Sequence, residues 1–147
     1  MRIVETNVTI SAPASLVWDI LVGFDGYAEW NPFMVKAAGY AEPGERLAIT
    51  LRQSDTRTMS FKPKVLVAEP GKHLRWIGRL LVPGIFDGMH EFILTETGEG
   101  TSLNHKETFS GVLPALMGSK LDSTALGFEQ FNQALKSRAE SLHSATN

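Results

Sequence analysis

Three ionisable side chains stand at alternating positions in residues 90–109, HEFILTETGEGTSLNHKETF: His90, His105 and Glu107. The stretch reads as two strands joined by a short glycine-containing turn. Phe86, Gly88, His90, Phe92 and Leu94 share one face of the first strand. Leu103, His105, Glu107 and Phe109 share one face of the second. A strand turns successive side chains to opposite faces, so the faces rich in Phe and Leu are the buried ones and the three polar groups go in with them. If TGEG forms a four-residue loop, Glu96 pairs with Thr101, Phe92 stands opposite His105, and His90 stands opposite Glu107. Opposed Cβ atoms lie roughly 5 Å apart, which permits a His90–Glu107 hydrogen bond. A slip of one residue would separate the groups onto different faces.

Three kinds of chemistry fit this set. It can be a mutually satisfied polar pair that fixes strand register. It can be a ligand-orienting or catalytic group in an apolar pocket, with His90, Glu107 and His105 as the candidate catalytic residues. A carboxylate beside a histidine holds one tautomer and makes a better base, able to take a proton next to a carbonyl as a cyclisation or dehydration requires. Glu107 alone, once desolvated, could instead keep its proton and donate it. Third, two histidines and a carboxylate have the composition of a facial metal triad, although no partner that would orient such ligands can be named.

The elements that carry these residues follow from periodicity. Residues 2–10 alternate as a strand with Val4, Thr6, Val8 and Ile10 on one face. SAPASLVWDIL starts a helix, with Ser11 as its expected cap and Pro13 in the first turn. GFDGYAEWNPF leaves room for one more helical turn, closed by Pro32. From Phe33 to Gly111 strands and turns alternate, and Pro63 demands a bulge or a split strand because it cannot donate to a ladder. Arg75 and Arg79 mark a solvated face, which turns Trp76 inward, since burying two unpaired arginines is costly. That arrangement needs an odd number of residues, or a bulge, in the VPGI connection; a tight Pro-Gly turn would contradict it.

From about Leu116 onward, Met117, Leu121, Ala125, Phe128, Phe131, Leu135 and Leu142 recur at helical spacing. Gly127 interrupts this helix and signals either local weakness or a close approach to the sheet or a ligand. One strand, one or two short helices, about six further antiparallel strands and one long helix make an α+β domain. Its sheet must curve, because one helix cannot cover seven flat strands, and the curve leaves a cleft. By facing direction the cleft draws on Met59, Phe61, Trp76, His90, Phe92, His105, Glu107 and Phe109, closed by Thr124 and Phe128 from the helix.

Composition narrows the classes. The 147 residues form one expected domain, 1–147, with 43% hydrophobic and 20% charged residues. A net charge of −2 gives no footprint for nucleic acid. Without cysteine there is no disulfide, thiolate chemistry or Cys-based zinc site. No signal segment or membrane-length apolar run is present, so the expected location is the cytoplasm, without membrane insertion. No P-loop, dinucleotide fingerprint or nucleophile elbow occurs, and we assign neither cofactor nor metal.

The element order, with YAEWNPF (27–33), LRWIGRLLVPGIFDGMHEF (74–92) and HKETFSGVLP (105–114), resembles the SRPBCC superfamily. This START-like, Bet v 1-like group includes polyketide cyclases and dehydrases and lipid-transfer domains. The nearest resemblance is to the small bacterial proteins of its polyketide cyclase/dehydrase and lipid-transport branch. It covers essentially the whole chain. It implies a helix-grip fold: a curved seven-stranded antiparallel sheet wrapped around a long C-terminal helix, with a largely apolar pocket between them. It also implies a small hydrophobic ligand, of lipid, polyketide or isoprenoid type, and structural roles for Trp30 as anchor and Pro32 as helix stop. The expected function is ligand binding at Met59, Phe61, Trp76, Phe92, Phe109, Thr124 and Phe128. A cyclase or dehydratase using His90 and Glu107 is the alternative, and a protein-interaction module using the groove is the next. A homodimer remains open.

Overall fold

The computed structural model describes residues 2–80, 86–111 and 118–145, leaving aside the side chains of 80, 86 and 118–123. Strand β1 (Arg2–Ile10) leads into α1 (Ala14–Val22), a 3-10 turn (Phe24–Gly26) and the single turn α2 (Tyr27–Trp30). Seven strands follow: β2 (Met34–Ala38), β3 (Ala48–Arg52), β4 (Thr58–Phe61), β5 (Lys64–Glu69), β6 (His73–Leu80), β7 (Phe86–Thr97) and β8 (Gly100–Ser110). Helix α3 (Gly118–Ala145) closes the order. Leu116 and Met117 of the expected helical stripe lie outside the described residues, as does the VPGI segment.

Among the described residues, the expected seven-stranded sheet is instead eight strands in two sheets, ordered β1-β8-β7-β6-β5 and β2-β3-β4. Pro63 is the reason. It splits what reads as one strand into β4 and β5, because it has no N–H for a ladder and restricts its neighbours. The backbone still joins the sheets across the break: the Leu47 amide donates to the Pro63 carbonyl and the Val65 amide to the Glu45 carbonyl, at 2.9 and 2.8 Å. The α+β, helix-grip class stands, with the curve divided at a proline.

Two other local expectations change. Pro13, not Ser11, caps α1 and uses no side-chain bond; the Ser11 amide donates to Glu140 on α3 at 2.8 Å. Leu142 is exposed, so the buried stripe of α3 ends at Ala139. The β7–β8 pairing is the one anticipated, with Glu96 opposite Thr101 and His90 opposite Glu107, around a two-residue Gly98-Glu99 turn. Leu80 pairs with Phe86, so an odd number of residues joins β6 to β7 and Trp76 stands opposite His90 on the inner face.

Helix α3 is fastened to the first strand by polar contacts at four-residue intervals along one side. Asn132 Nδ2 donates to Thr6 Oγ1, Lys136 Nζ to the Thr9 carbonyl, and the Ser11 amide to Glu140, each at 2.8 Å. Lys136 also donates to Glu140, and with the Ser11 amide it holds that carboxyl below its ordinary range. The apolar side of α3 buries Phe128, Phe131, Leu135 and Ala139 against Leu74, Trp76, Phe92 and Leu103 of the larger sheet. Trp30 is a half-buried anchor, edge-on to Phe131 at 5.6 Å between centroids. After α2 ends, Asn31 Oδ1 accepts from the amides of Phe33 and Met34.

Gly127 marks a close approach, and the neighbour is Phe33 just before β2. A Cβ at 127 would fall well inside contact distance of the Phe33 ring. Gly127→Ala should therefore lower stability by about 1–3 kcal/mol through overpacking, despite the better helix propensity of Ala. Urea unfolding checks this, and a more stable variant would show that Phe33 moves aside freely.

Candidate functional site

The inner face of the larger sheet is organised in rows across the strands. Leu74, Phe92, His105 and Thr6 form one row; Trp76, His90, Glu107 and Val4 form the next; Gly78, Gly88 and Phe109 begin the third. Phe128 of α3 lies over the first two. Its ring stacks on His105 at 4.2 Å between centroids and an interplanar angle of 10°. Trp76 stacks on His90 from the other side, at 4.9 Å. His90 and His105 are buried, as are Trp76, Phe92, Phe109 and Phe128.

The two histidines belong to one hydrogen-bonded chain whose direction can be read from its end. Thr6 Oγ1 has a single proton and donates it to the His105 carbonyl, 3.0 Å away. It must then accept from Asn132 Nδ2, at 2.8 Å, which turns Asn132 Oδ1 to His105 Nδ1, also at 2.8 Å. His105 therefore carries its proton on Nδ1, leaving Nε2 as an acceptor for His90 Nε2–H at 2.7 Å. His90 turns its remaining nitrogen, Nδ1, to Glu107 Oε1 at 3.5 Å. Thus Thr6, Asn132, His105, His90 and Glu107 form a polar relay between β1, α3, β8 and β7.

This geometry alters the sequence expectations in two ways. The short contact of His90 is with His105, while its approach to Glu107 is a long ion-pair contact. The metal composition does not become a metal geometry: His90 directs different nitrogens at His105 and Glu107, so the three groups converge on no common point. Among the described residues no group of three potential ligands could hold a metal ion.

Burial separates the proposed lining into two sets. Trp76, His90, Phe92, His105, Phe109 and Phe128 are packed against the core. Met59, Phe61, Glu107 and Thr124 are half-buried. The Glu107 side chain retains 18% exposure against 3% for His90, so solvent reaches part of the glutamate and almost none of the imidazole. Gly88 makes this possible, because a Cβ there would collide with Glu107 Oε2. Phe61 similarly rests against Gly78, the cross-strand neighbour of Gly88. Thr6 and Asn132 were not among the sequence candidates. Their signal was present: Thr6 shares the inward face of β1, and Asn132 lies one helical turn beyond Phe128 on the apolar stripe.

Two antiparallel sheets packed with one long C-terminal helix define a helix-grip domain of the START-like SRPBCC class. The family model for polyketide cyclase / dehydrase and lipid transport matches residues 1–140, and the chain belongs to that family. None of the curated proteins matches its sequence. Among solved structures, a protein of Mesorhizobium loti is similar at 25% identity and TM-score 0.73, over 92% of this chain and 95% of that one. A START superfamily protein from Mycobacterium smegmatis is similar at 20% identity and TM-score 0.72, covering 95% and 98%. The di-domain aromatase/cyclase StfQ from the steffimycin biosynthetic pathway shares 15% identity and a TM-score of 0.74; 95% of this chain covers 51% of that one. The latter two likenesses concern the fold alone. No described helix is long and apolar enough to cross a membrane.

The relay makes stability depend on pH. Burial, and then the neighbouring His90, hold His105 well below the ordinary histidine value of 6.5, against the opposing hydrogen bond to Asn132. The unfolded chain then binds a proton that the folded chain refuses, so this contribution is complete above about pH 6.5 and is lost as the pH falls below it. His105→Gln can keep both hydrogen bonds without titrating. Urea unfolding between pH 6.5 and 4.5 should show wild type losing up to about 1.4 kcal/mol per pH unit more than the variant; parallel curves would contradict a neutral buried His105. Asn132→Leu should cost about 2–4 kcal/mol at pH 7, because it leaves the buried His105 Nδ1–H without an acceptor and takes from Thr6 Oγ1 the donor it accepts from.

Proposed function

We propose that the protein binds a small hydrophobic or aromatic ligand between the inner sheet face and α3. The observation that carries this reading is the division of the lining. An aromatic wall is closed and packed, and beside it Phe61 and Glu107 remain half-open over two adjacent glycines. Met59, Phe61 and Thr124 would supply apolar contact, with Phe109, Trp76, Phe92 and Phe128 as the wall behind them. Glu107 would be the polar contact that sets orientation. An apolar site with one directed polar group is the usual economy of small-molecule recognition, and the family to which the chain belongs agrees with it.

A second reading is favoured by the His90–Glu107 contact. In a cyclase or dehydratase, Glu107 would meet the substrate and move its proton, while His90, held by His105, would set the state of the carboxyl. His90 and His105 would then be positioning residues rather than groups that touch the substrate.

Native mass spectrometry of freshly purified protein, compared with the denatured mass, tests the first reading. A retained organic mass is expected, and Phe61→Ala should reduce its occupancy severalfold. A bare polypeptide mass would count against a tight carrier. For the second reading, Glu107→Gln should still retain the ligand but no longer convert it during incubation. Equal conversion by the variant would remove Glu107 from the chemistry.

A further inference from the structure

The relay specifies what kind of hydrogen-bonding group a ligand must bring to Glu107. From Thr6 onward each link has one permitted direction, ending with His90 Nε2–H donating to His105 Nε2. His90 Nδ1 and Glu107 Oε1 then face each other at 3.5 Å. With no proton between them, two lone pairs would oppose one another inside the protein. One proton satisfies the contact from either side, as a His90 imidazolium beside a carboxylate or as a Glu107 carboxylic acid donating to neutral His90.

Both arrangements leave the second carboxyl oxygen the same. Oε2 has lone pairs and no proton, whether Glu107 is ionised or carries its proton on Oε1. This oxygen lies over Gly88, in the row where Gly78 and Gly88 add no side chains and Phe61 supplies the adjacent ring. Among the described residues no hydrogen-bond donor meets Oε2.

We infer that the ligand carries a hydroxyl on an aromatic or otherwise flat apolar framework and donates it to Glu107 Oε2, with the framework against Phe61. A bare hydrocarbon would bury Oε2 without a partner. An ether or ketone at that position would set lone pairs against lone pairs. The same geometry therefore selects phenols, enols and alcohols over their methylated or fully oxidised counterparts. This deepens the proposed binding function and rests on it.

The test uses 2-naphthol and its methyl ether, 2-methoxynaphthalene, as probes, titrated into the full chain and followed by tryptophan fluorescence and calorimetry. The hydroxyl compound should bind at least about tenfold more tightly, the range expected for a hydrogen bond to a charged or partly charged acceptor. Glu107→Leu should remove the preference while still binding both probes. Glu107→Gln should keep much of it, because its amide can donate to neutral His90 and leave its oxygen over Gly88. Equal affinities of wild type for the two probes would overturn the inference and leave the apolar site standing. Binding of neither probe would refute the site for aromatics of this size, and the inference with it. A preference that survives in a folded Glu107→Leu variant would place the acceptor elsewhere and equally overturn it.

Discussion

The side-chain amide of Asn132 sits where α3 crosses the inner face of β1 and β8, and the buried polar order of the protein depends on it. It is nearly inaccessible to water, so both ends of the amide must find partners. Thr6 and His105 provide them. The requirement that every group in a low-dielectric interior be paired turns this one contact into a chain of fixed directions. Helix position, the His105 tautomer and the orientation of His90 become parts of one constraint.

That constraint also explains how polar residues coexist with so much aromatic packing. Both imidazole rings are used as flat apolar surfaces, with Trp76 stacked on His90 and Phe128 on His105, while their edges carry the hydrogen bonds of the relay. The arrangement packs both imidazoles into the core and leaves Glu107 part-exposed at the end of the relay. A side chain at 88 would displace Glu107, and one at 78 would press on Phe61.

The fold adapts to its size by splitting. A strand continuing through Pro63 would lose a ladder bond, so the curve is divided between two sheets, held in line by backbone bonds from residues 45 and 47 to 63 and 65. The helix is then fixed against the first strand by Asn132, Lys136 and Glu140, all on one side of α3. The close approach at Gly127 lets Phe33 reach Phe128, which connects the smaller sheet's entry to the relay.

Much of this was legible in the chain itself, because side-chain direction along a strand or helix is a local property. The alternation in β7 and β8 determined that His90, His105 and Glu107 share the inner face, and the register between the strands followed from the short turn. The charges on Arg75 and Arg79 determined the facing of Trp76, and the apolar stripe determined the buried side of α3 through Phe128, Phe131 and Leu135, though its expected end at Leu142 is exposed. Pro63 announced a break, though not that two sheets would result. Depth and crossing belong to the tertiary structure. How α3 lies across β1 is decided by contacts between residues more than a hundred positions apart. Thr6 and Asn132 could be placed on the right faces from sequence, but their meeting with His105 required the helix to cross β1 and β8 at one particular place. The reason is physical: periodicity states which way a side chain points, and only packing states what it meets.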